Sequence, residues 1–377
     1  MINSHLSRQI RQNFPHTPTN EQLFALNILA DFLLSANENS ALLLKGYAGT
    51  GKTSLVGALV KTMSGLKQKS VLLAPTGRAA KVLSNYAGQQ AFTIHKKIYR
   101  QDAFSNDLSA FHPSDNLHKD TLFIVDEASM ISNQGIDSHY FGSGRLLDDL
   151  VHYVYSGENC RLMLMGDTAQ LSPVMQVESP ALQADILKGY NLQVDEIQLT
   201  EVVRQDLNSG ILYNATLLRD SLRNNRVEIY PKLTVKGFAD IQMINGSELI
   251  EAISNAYSKD GLDDTIVISR SNKRANIYNN GIRNQILYRE EELSTGDRLM
   301  IVKNNYFWTR NNKEIDFIAN GEIVQVLRVR NESHLYGFRF CDVTVRFQDY
   351  DMELDIKILL DTLQTEAPAL PKELNDK

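Results

Sequence analysis

The sequence predicts an α/β protein with a doubly wound parallel sheet, a second sheet domain patterned on the first, and a small all-β element near the end. Three observations predict it. Strand-length apolar runs at 41–44, 71–74, 121–125 and 161–165 each break into a glycine or polar turn, and helical spacing appears at 54–63, 78–86 and 146–154. That repeated order of strand, turn and helix calls for parallel strands with helices on both faces. Residues 265–283 repeat the organisation of 71–86, as though a second sheet copied the first. From Gly296 onward, runs at 299–302, 323–329, 338–347 and 352–360 alternate or stay apolar at strand length between Asn-rich and Gly turns, which suits an antiparallel barrel or sandwich.

The 377 residues suffice for two or three domains with a sizeable core, and 43% hydrophobic with 22% charged residues is ordinary globular composition. Cys160 and Cys341 lie far apart without metal-ligand spacing, which fits inert thiols in a reducing compartment. The polar N-terminus and the lack of a membrane-length apolar run predict a cytoplasmic chain with no membrane partner. Net charge is −6, but residues 349–377 carry −5 of it and leave −1 for the rest. Three acid-free basic stretches, 70–100, 265–283 and 298–313, are interleaved with Phe92, Tyr99, Tyr278, Tyr306, Phe307 and Trp308. Such a mix suits a groove that neutralises phosphates and stacks unpaired bases, although a solvated surface accounts for any one stretch equally well.

In chain order, residues 1–17 read as a loosely held arm. Pro18 and a cap at Thr19 or Asn20 open an amphipathic helix carrying Leu23, Leu26, Leu29 and Phe32, with Gln22 in its first turn. By itself Gln22 reads as a solvated glutamine. The stretch ALLLKGYAGTGKT, 41–53, is the organising element. Gly46 and Gly51 frame a G-x-x-x-x-G-K-[ST] loop with Gly49 and Thr50 inside it, so backbone N–H groups and a helix N-terminus face an anion. Lys52 then reaches the β- and γ-phosphates of a nucleoside triphosphate, and the Thr53 hydroxyl reaches Mg²⁺.

After the run at 71–74, Pro75, Thr76 and Arg78 stand at a strand's C-terminal end, where doubly wound sheets place ligand contacts. Thr93, His95 and Lys96 follow. Zinc at His95 is set aside, because no cysteine or second histidine lies at ligand spacing. Residues 101–119 are polar and suit a loop or small hairpin bearing Phe104 and Phe111, either of which is a candidate strand-parting wedge. The run 121–125 ends in Asp126 and Glu127, a pair suited to holding Mg²⁺ through a bound water and to deprotonating an attacking water. The run 161–165 ends in GDTAQLSPV, where Gln170 could sense a γ-phosphate. Arg204 lies beyond the first sheet; spacing alone makes it half of a surface ion pair, while its permanently charged plane also suits a breaking phosphate bond. Residues past 364 form a Pro-containing acidic tail.

With the cradle, PTGRAAK, TIHKK, DEAS, GDTAQLSPV and VVRQ in this order, the chain from Thr19 to Leu360 resembles the RecD and Dda group of superfamily 1B DNA helicases. The resemblance implies a P-loop RecA-like parallel-sheet domain over 1–190 with a short insertion at 97–119. It further implies part of a second RecA-like domain over 191–292 and an SH3-like β-barrel insertion over 293–362. It implies ATP with Mg²⁺ as cofactors, and single-stranded DNA and its junctions with duplex as partner, tracked 5′ to 3′ by a monomer. Gln22 looks like the family's adenine contact, Lys52, Thr53, Asp126 and Glu127 like its phosphate, metal and water-activating residues, and Gln170 and Arg204 like its γ-phosphate sensor and arginine. Pro75, Thr76, Arg78, Thr93, His95 and Lys96, with Ser269, Asn272 and Lys273, match its DNA-backbone contacts. Two family motifs, T-x-H-K-x-Q-G and one ending in S-R-A, do not occur. This departure sets the expectation of an incomplete second domain, and of nucleotide-gated DNA binding without unwinding as the alternative activity.

Overall fold

The computed structural model describes residues 2–101, 111–134, 142–202, 208–224, 230–302, 305, 307–309, 318, 321–348 and 352–363. The chain divides into two compact units, 1–241 and 242–377.

The first unit opens with α1 (Ile2–Gln12) and α2 (Asn20–Leu34). It continues through β1 (Ser40–Gly46), α3 (Lys52–Gly65), β2 (Lys69–Ala74), α4 (Gly77–Ala87), β3 (Ala91–Thr93) and α5 (Ile94–Ile98). A hairpin of β4 (Tyr99–Gln101) and β5 (Phe111–Pro113) precedes β6 (Thr121–Val125), α6 (Leu146–Tyr155), β7 (Arg161–Gly166), α7 (Ala184–Lys188), β8 (Gln193–Leu199) and α8 (Gly210–Arg223). Six strands form one sheet in the order β3-β2-β6-β7-β1-β8, and every pairing is parallel. All six C-terminal ends therefore lie along one sheet edge. β1 can be an unbroken apolar run because both its faces are covered: Leu42 and Leu44 join the α2 and α3 core with Leu26, Leu29, Leu55 and Leu59, while Ala41 and Leu43 are buried as well.

Three expectations are corrected in this unit. The arm at 1–17 contains a helix, because Leu6 and Ile10, one turn apart, bury their side chains and seat α1 on α2 and α3. The first sheet also extends past residue 190: β8 pairs with β1 from Ser40↔Gln193 to Gly46↔Leu199. Its charged Asp195 and Glu196 disguise it, and Lys45 pairs with Glu196 at 2.5 Å on the sheet. The hairpin expected after residue 97 is present, but Phe111 is buried, so it anchors the hairpin and is no wedge. Phe104 lies outside the described residues.

The second unit contains α9 (Leu249–Lys259) and α10 (Asn272–Gly281), then β9 (Arg298–Met300), β10 (Ile323–Leu335), β11 (Phe338–Phe347) and β12 (Glu353–Leu359). The four strands form an antiparallel sheet in the order β12-β11-β10-β9 around Val324, Val326, Val343, Val345, Phe347 and Ile356. Tyr336 and Gly337, both at positive φ, make the tight turn between β10 and β11. This is the small antiparallel element expected from the alternation. The strand expected at 265–269 is not formed: the segment belongs to no described sheet, and Ile266 and Ile268 are 75% and 86% exposed. An apolar run becomes a strand only where another strand offers its backbone groups, and the described residues of this unit offer none there. Among the described residues, no helix is long and apolar enough to cross a membrane.

Candidate nucleotide site and nucleic-acid face

The cradle forms where β1 ends. Gly49 and Gly51 take left-handed backbone at φ 83° and 85°, and a Cβ on Gly51 would lie 2.5 Å from Gln22 Nε2. Thr50 closes the loop on Tyr47, donating to its carbonyl from N at 3.2 Å and from Oγ1 at 2.8 Å. Lys52, in the first turn of α3, donates from Nζ to Gly46 O at 2.6 Å and Tyr47 O at 3.1 Å. Thr53 follows it, half-buried. Gln22 is buried rather than solvated. Its Oε1 accepts from Thr19 N at 3.0 Å, completing a capping box, and its Nε2 donates to Thr50 O at 2.8 Å. The same helix start holds a second brace, in which Glu21 accepts from Thr200 N, Thr200 Oγ1 and Glu201 N at 2.6, 2.5 and 2.9 Å. Val202 then stands 3.3 Å from where a Cβ on Gly49 would be.

The acids come from the neighbouring strand ends. Asp126 is 8% exposed, and its Oδ1 accepts from Glu127 N at 2.8 Å. Burial pushes its carboxyl up to about 6, the Glu127 amide and Lys52 pull against that rise, and the Glu127 charge adds to it. Glu127, at φ 54°, is likewise raised by burial, with Lys52 opposing and Asp167 adding. Burial lowers Lys52, while Asp167, Asp126 and Glu127 raise it. Asp167 is the aspartate of GDTAQLSPV, the stretch in which the sequence assigns a task only to Gln170. Its Oδ2 accepts from Ala48 N at 2.9 Å and its Oδ1 from Ala169 N at 2.8 Å, so it ties the cradle to the loop after β7. Gln170 is exposed on that loop. It lines a cleft of about 890 Å³ together with Ala48, Gly49, Asp167, Val202 and Arg219 of α8. The Arg219 guanidinium lies 5.3 Å from the Tyr47 ring centroid. Arg204 falls outside the described residues.

Among the described residues, no cluster of three or more His, Cys, Asp or Glu side chains forms a ready-made metal site. A magnesium ion that arrives with a nucleotide needs none, because it takes one or two protein oxygens and fills its octahedron with phosphates and water. A buried carboxylate with a raised pKa, Asp126, beside the hydroxyl-bearing start of α3 fits that demand.

The expected DNA contacts fall into two groups. Ala74 pairs with Thr93 across β2 and β3, so Pro75, Thr76 and Arg78 emerge beside Thr93, His95 and Lys96 on the sheet edge that also carries the cradle. Thr76 and Thr93 are helix N-caps, accepting from Ala79 N and Lys96 N at 3.2 Å. Arg78 is exposed, and Lys97 sits 5.7 Å over the Phe92 ring. Ser269, Asn272 and Lys273 belong to the second unit, at the start of α10. Two cations of the basic stretches are spent internally: Arg283 holds Asp297, and Arg298 holds Asp263 at 2.5 Å.

A sequence-family model described as an AAA domain matches residues 32–233. The chain is 26% identical over 301 residues to the ATP-dependent DNA helicase dda of Enterobacteria phage T4, covering 77% of this chain and 63% of that protein. It is 31% identical over 173 residues to the ATP-dependent RecD2 DNA helicase of Deinococcus radiodurans, covering 46% of this chain and 21% of that protein. The Pif1 helicase structure from Candida albicans aligns with a TM-score of 0.35 at 18% identity, over 90% of this chain and 78% of that one. The chain spans 63% of the length of each of the two relatives it matches over 301 and 343 residues. The similarity to dda and RecD2 bears out the resemblance read from the motifs. With a matched segment longer than half of its 377 residues, the chain belongs to the AAA domain family of P-loop proteins.

Proposed function

We propose that this chain is the motor portion of an ATP-dependent DNA helicase that moves 5′ to 3′ along a single strand. One observation carries the reading: the cradle on β1, the acidic pair on β6, the Asp167 loop on β7 and the two DNA-contact segments on β2 and β3 all leave the sheet at the same edge. In this reading Gln22 meets the base, at the expense of one of its two present hydrogen bonds. The cradle amides and Lys52 hold the phosphates, with Lys52 leaving the carbonyls of Gly46 and Tyr47 to do so. Asp126 and Thr53 would hold Mg²⁺, which supplies charge neutralisation between the phosphates. Glu127, its pKa raised by burial, takes a proton from the attacking water, and Gln170 and Arg204 respond to the terminal phosphate. Thr76, Arg78, Thr93, His95 and Lys96 grip the DNA backbone, helped by the positive N-terminus of α4, while Ser269, Asn272 and Lys273 grip it from the second unit.

The test is ATP hydrolysis by the full chain with and without single-stranded DNA, comparing the parent with Lys52→Ala and Glu127→Gln. Hydrolysis that rises with DNA and disappears in both variants is expected. Turnover indifferent to the DNA and to both substitutions refutes the proposal. A second reading, nucleotide-gated DNA binding without unwinding, is favoured by the 265–269 segment, which joins no sheet among the described residues although the resemblance calls for a second RecA-like sheet. Strand separation by this chain eliminates it.

A further inference from the structure

The cradle has an unbalanced charge. Three carboxylates, Asp126, Glu127 and Asp167, act on the one ammonium of Lys52. Such a site repels a polyphosphate until cations offset it, and Mg²⁺, whose two charges only cancel the net charge of the side chains, leaves the charge of the polyphosphate itself to be met. Among the described residues that line the cleft over Ala48 and Gly49, Arg219 is the one cation. Its placement is built. Nε donates to Ala215 O at 3.0 Å and one Nη to Thr216 Oγ1 at 3.2 Å, both one turn back on α8, and the guanidinium rests against the Tyr47 ring at 5.3 Å. These contacts leave the other Nη without a partner among the described residues.

Tyr47 also links this cation to the lysine of the cradle. A lysine in this motif reaches the β- and γ-phosphates, and Lys52 Nζ lies 3.1 Å from Tyr47 O. The lysine that would leave Tyr47 O for those phosphates and the arginine that rests on the Tyr47 ring therefore start from the same residue of the loop. On the reading of this site as a nucleoside triphosphate pocket, we infer that Arg219, seated on Tyr47, is a second cation for the terminal phosphate and a determinant of triphosphate over diphosphate binding. It is distinct from Arg204 and is tied to the P-loop before any ligand arrives. The cleft volume of about 890 Å³ is ample for a nucleotide.

The experiment is calorimetric titration of the full chain with MgADP and with the magnesium complex of a β,γ-methylene ATP analogue, for the parent, Arg219→Ala, Arg219→Lys, Tyr47→Leu and Lys52→Ala. Arg219→Ala is expected to weaken the triphosphate analogue about ten-fold and MgADP less than about two-fold, with an unchanged melting temperature. Arg219→Lys recovers only part of the loss, because it lacks the planar fork that stacks on Tyr47, and Tyr47→Leu loses the same preference to a smaller extent. Equal weakening of both nucleotides, or no weakening, in Arg219→Ala while Lys52→Ala loses both overturns this inference and leaves the nucleotide site standing. Lys52→Ala that binds like the parent refutes the nucleotide site itself, and the inference with it.

Discussion

Two buried aspartates, one in each unit, are held in opposite ways. Asp297 in the second unit is 4% exposed and saturated: Arg283 Nη2 at 2.9 Å, Arg289 Nη1 at 2.6 Å and Ser294 N at 2.8 Å all donate to it. Burial alone would raise its pKa, but Arg283, the Ser294 amide and Arg289 overcome burial and hold it below the ordinary value. Asp126 in the first unit is nearly as buried, receives one backbone N–H, shares its surroundings with Glu127, and is pushed up to about 6. The difference separates a charge that organises structure from one kept short of compensation, as a carboxylate must be if it is to welcome a cation.

Four measurements sharpen or break this contrast. The largest effect is expected from Glu127→Gln, which removes the base beside Asp126: hydrolysis falls by a factor of about 10²–10⁴ while the melting temperature does not fall, as steady-state turnover and calorimetry would show. Asp297→Ala comes next. It strands two guanidinium groups and costs about 3–5 kcal/mol, read as faster hydrogen exchange through 283–297 with that of the first unit unchanged. Asp126→Asn works in the opposite direction and stabilises the metal-free, nucleotide-free protein by up to about 3 kcal/mol at pH 7. The smallest effect belongs to Glu353→Gln, which breaks the half-exposed 2.6 Å pair with Arg346 and changes stability by less than about 0.5 kcal/mol in chemical denaturation.

The pH dependences of the two aspartates also differ in sign. Asp126, raised from 3.8 to about 6, is protonated in both states below pH 3.8 and costs nothing there. Its penalty grows between pH 3.8 and 6 and is constant above, so the gain from Asp126→Asn fades as the buffer is acidified through that window. Asp297 is depressed, so its contribution is complete above 3.8 and is lost as pH falls through its lower folded value. Melting curves of the two variants against the parent should therefore converge on it at acid pH from opposite sides.

The parallel sheet and the cradle were legible in the sequence because burial on both faces writes continuous apolar runs, and because a phosphate loop requires glycines at fixed offsets. β8 was not, since an edge strand covered on one side can carry Asp195 and Glu196 and lose its apolar signature. α1 hid behind a polar composition in which Leu6 and Ile10 suffice to dock it. The opposite error came at 265–269, where intrinsic strand preference is strong and no described strand pairs with it. At the site, local motifs named Lys52, Asp126 and Glu127. Glu21 and Arg219 act across 179 residues and onto Tyr47 respectively, and no spacing rule announces such contacts.

The Glu21 brace has a mechanical consequence. Where the polypeptide leaves β8, its next two residues are pinned to the first turn of α2, one residue from Gln22 and its bond to Thr50. A tug on the chain beyond Glu201 cannot loosen β8 without first straining that turn, so a force applied downstream is delivered to the rim of the cradle as a rein delivers it to the bit.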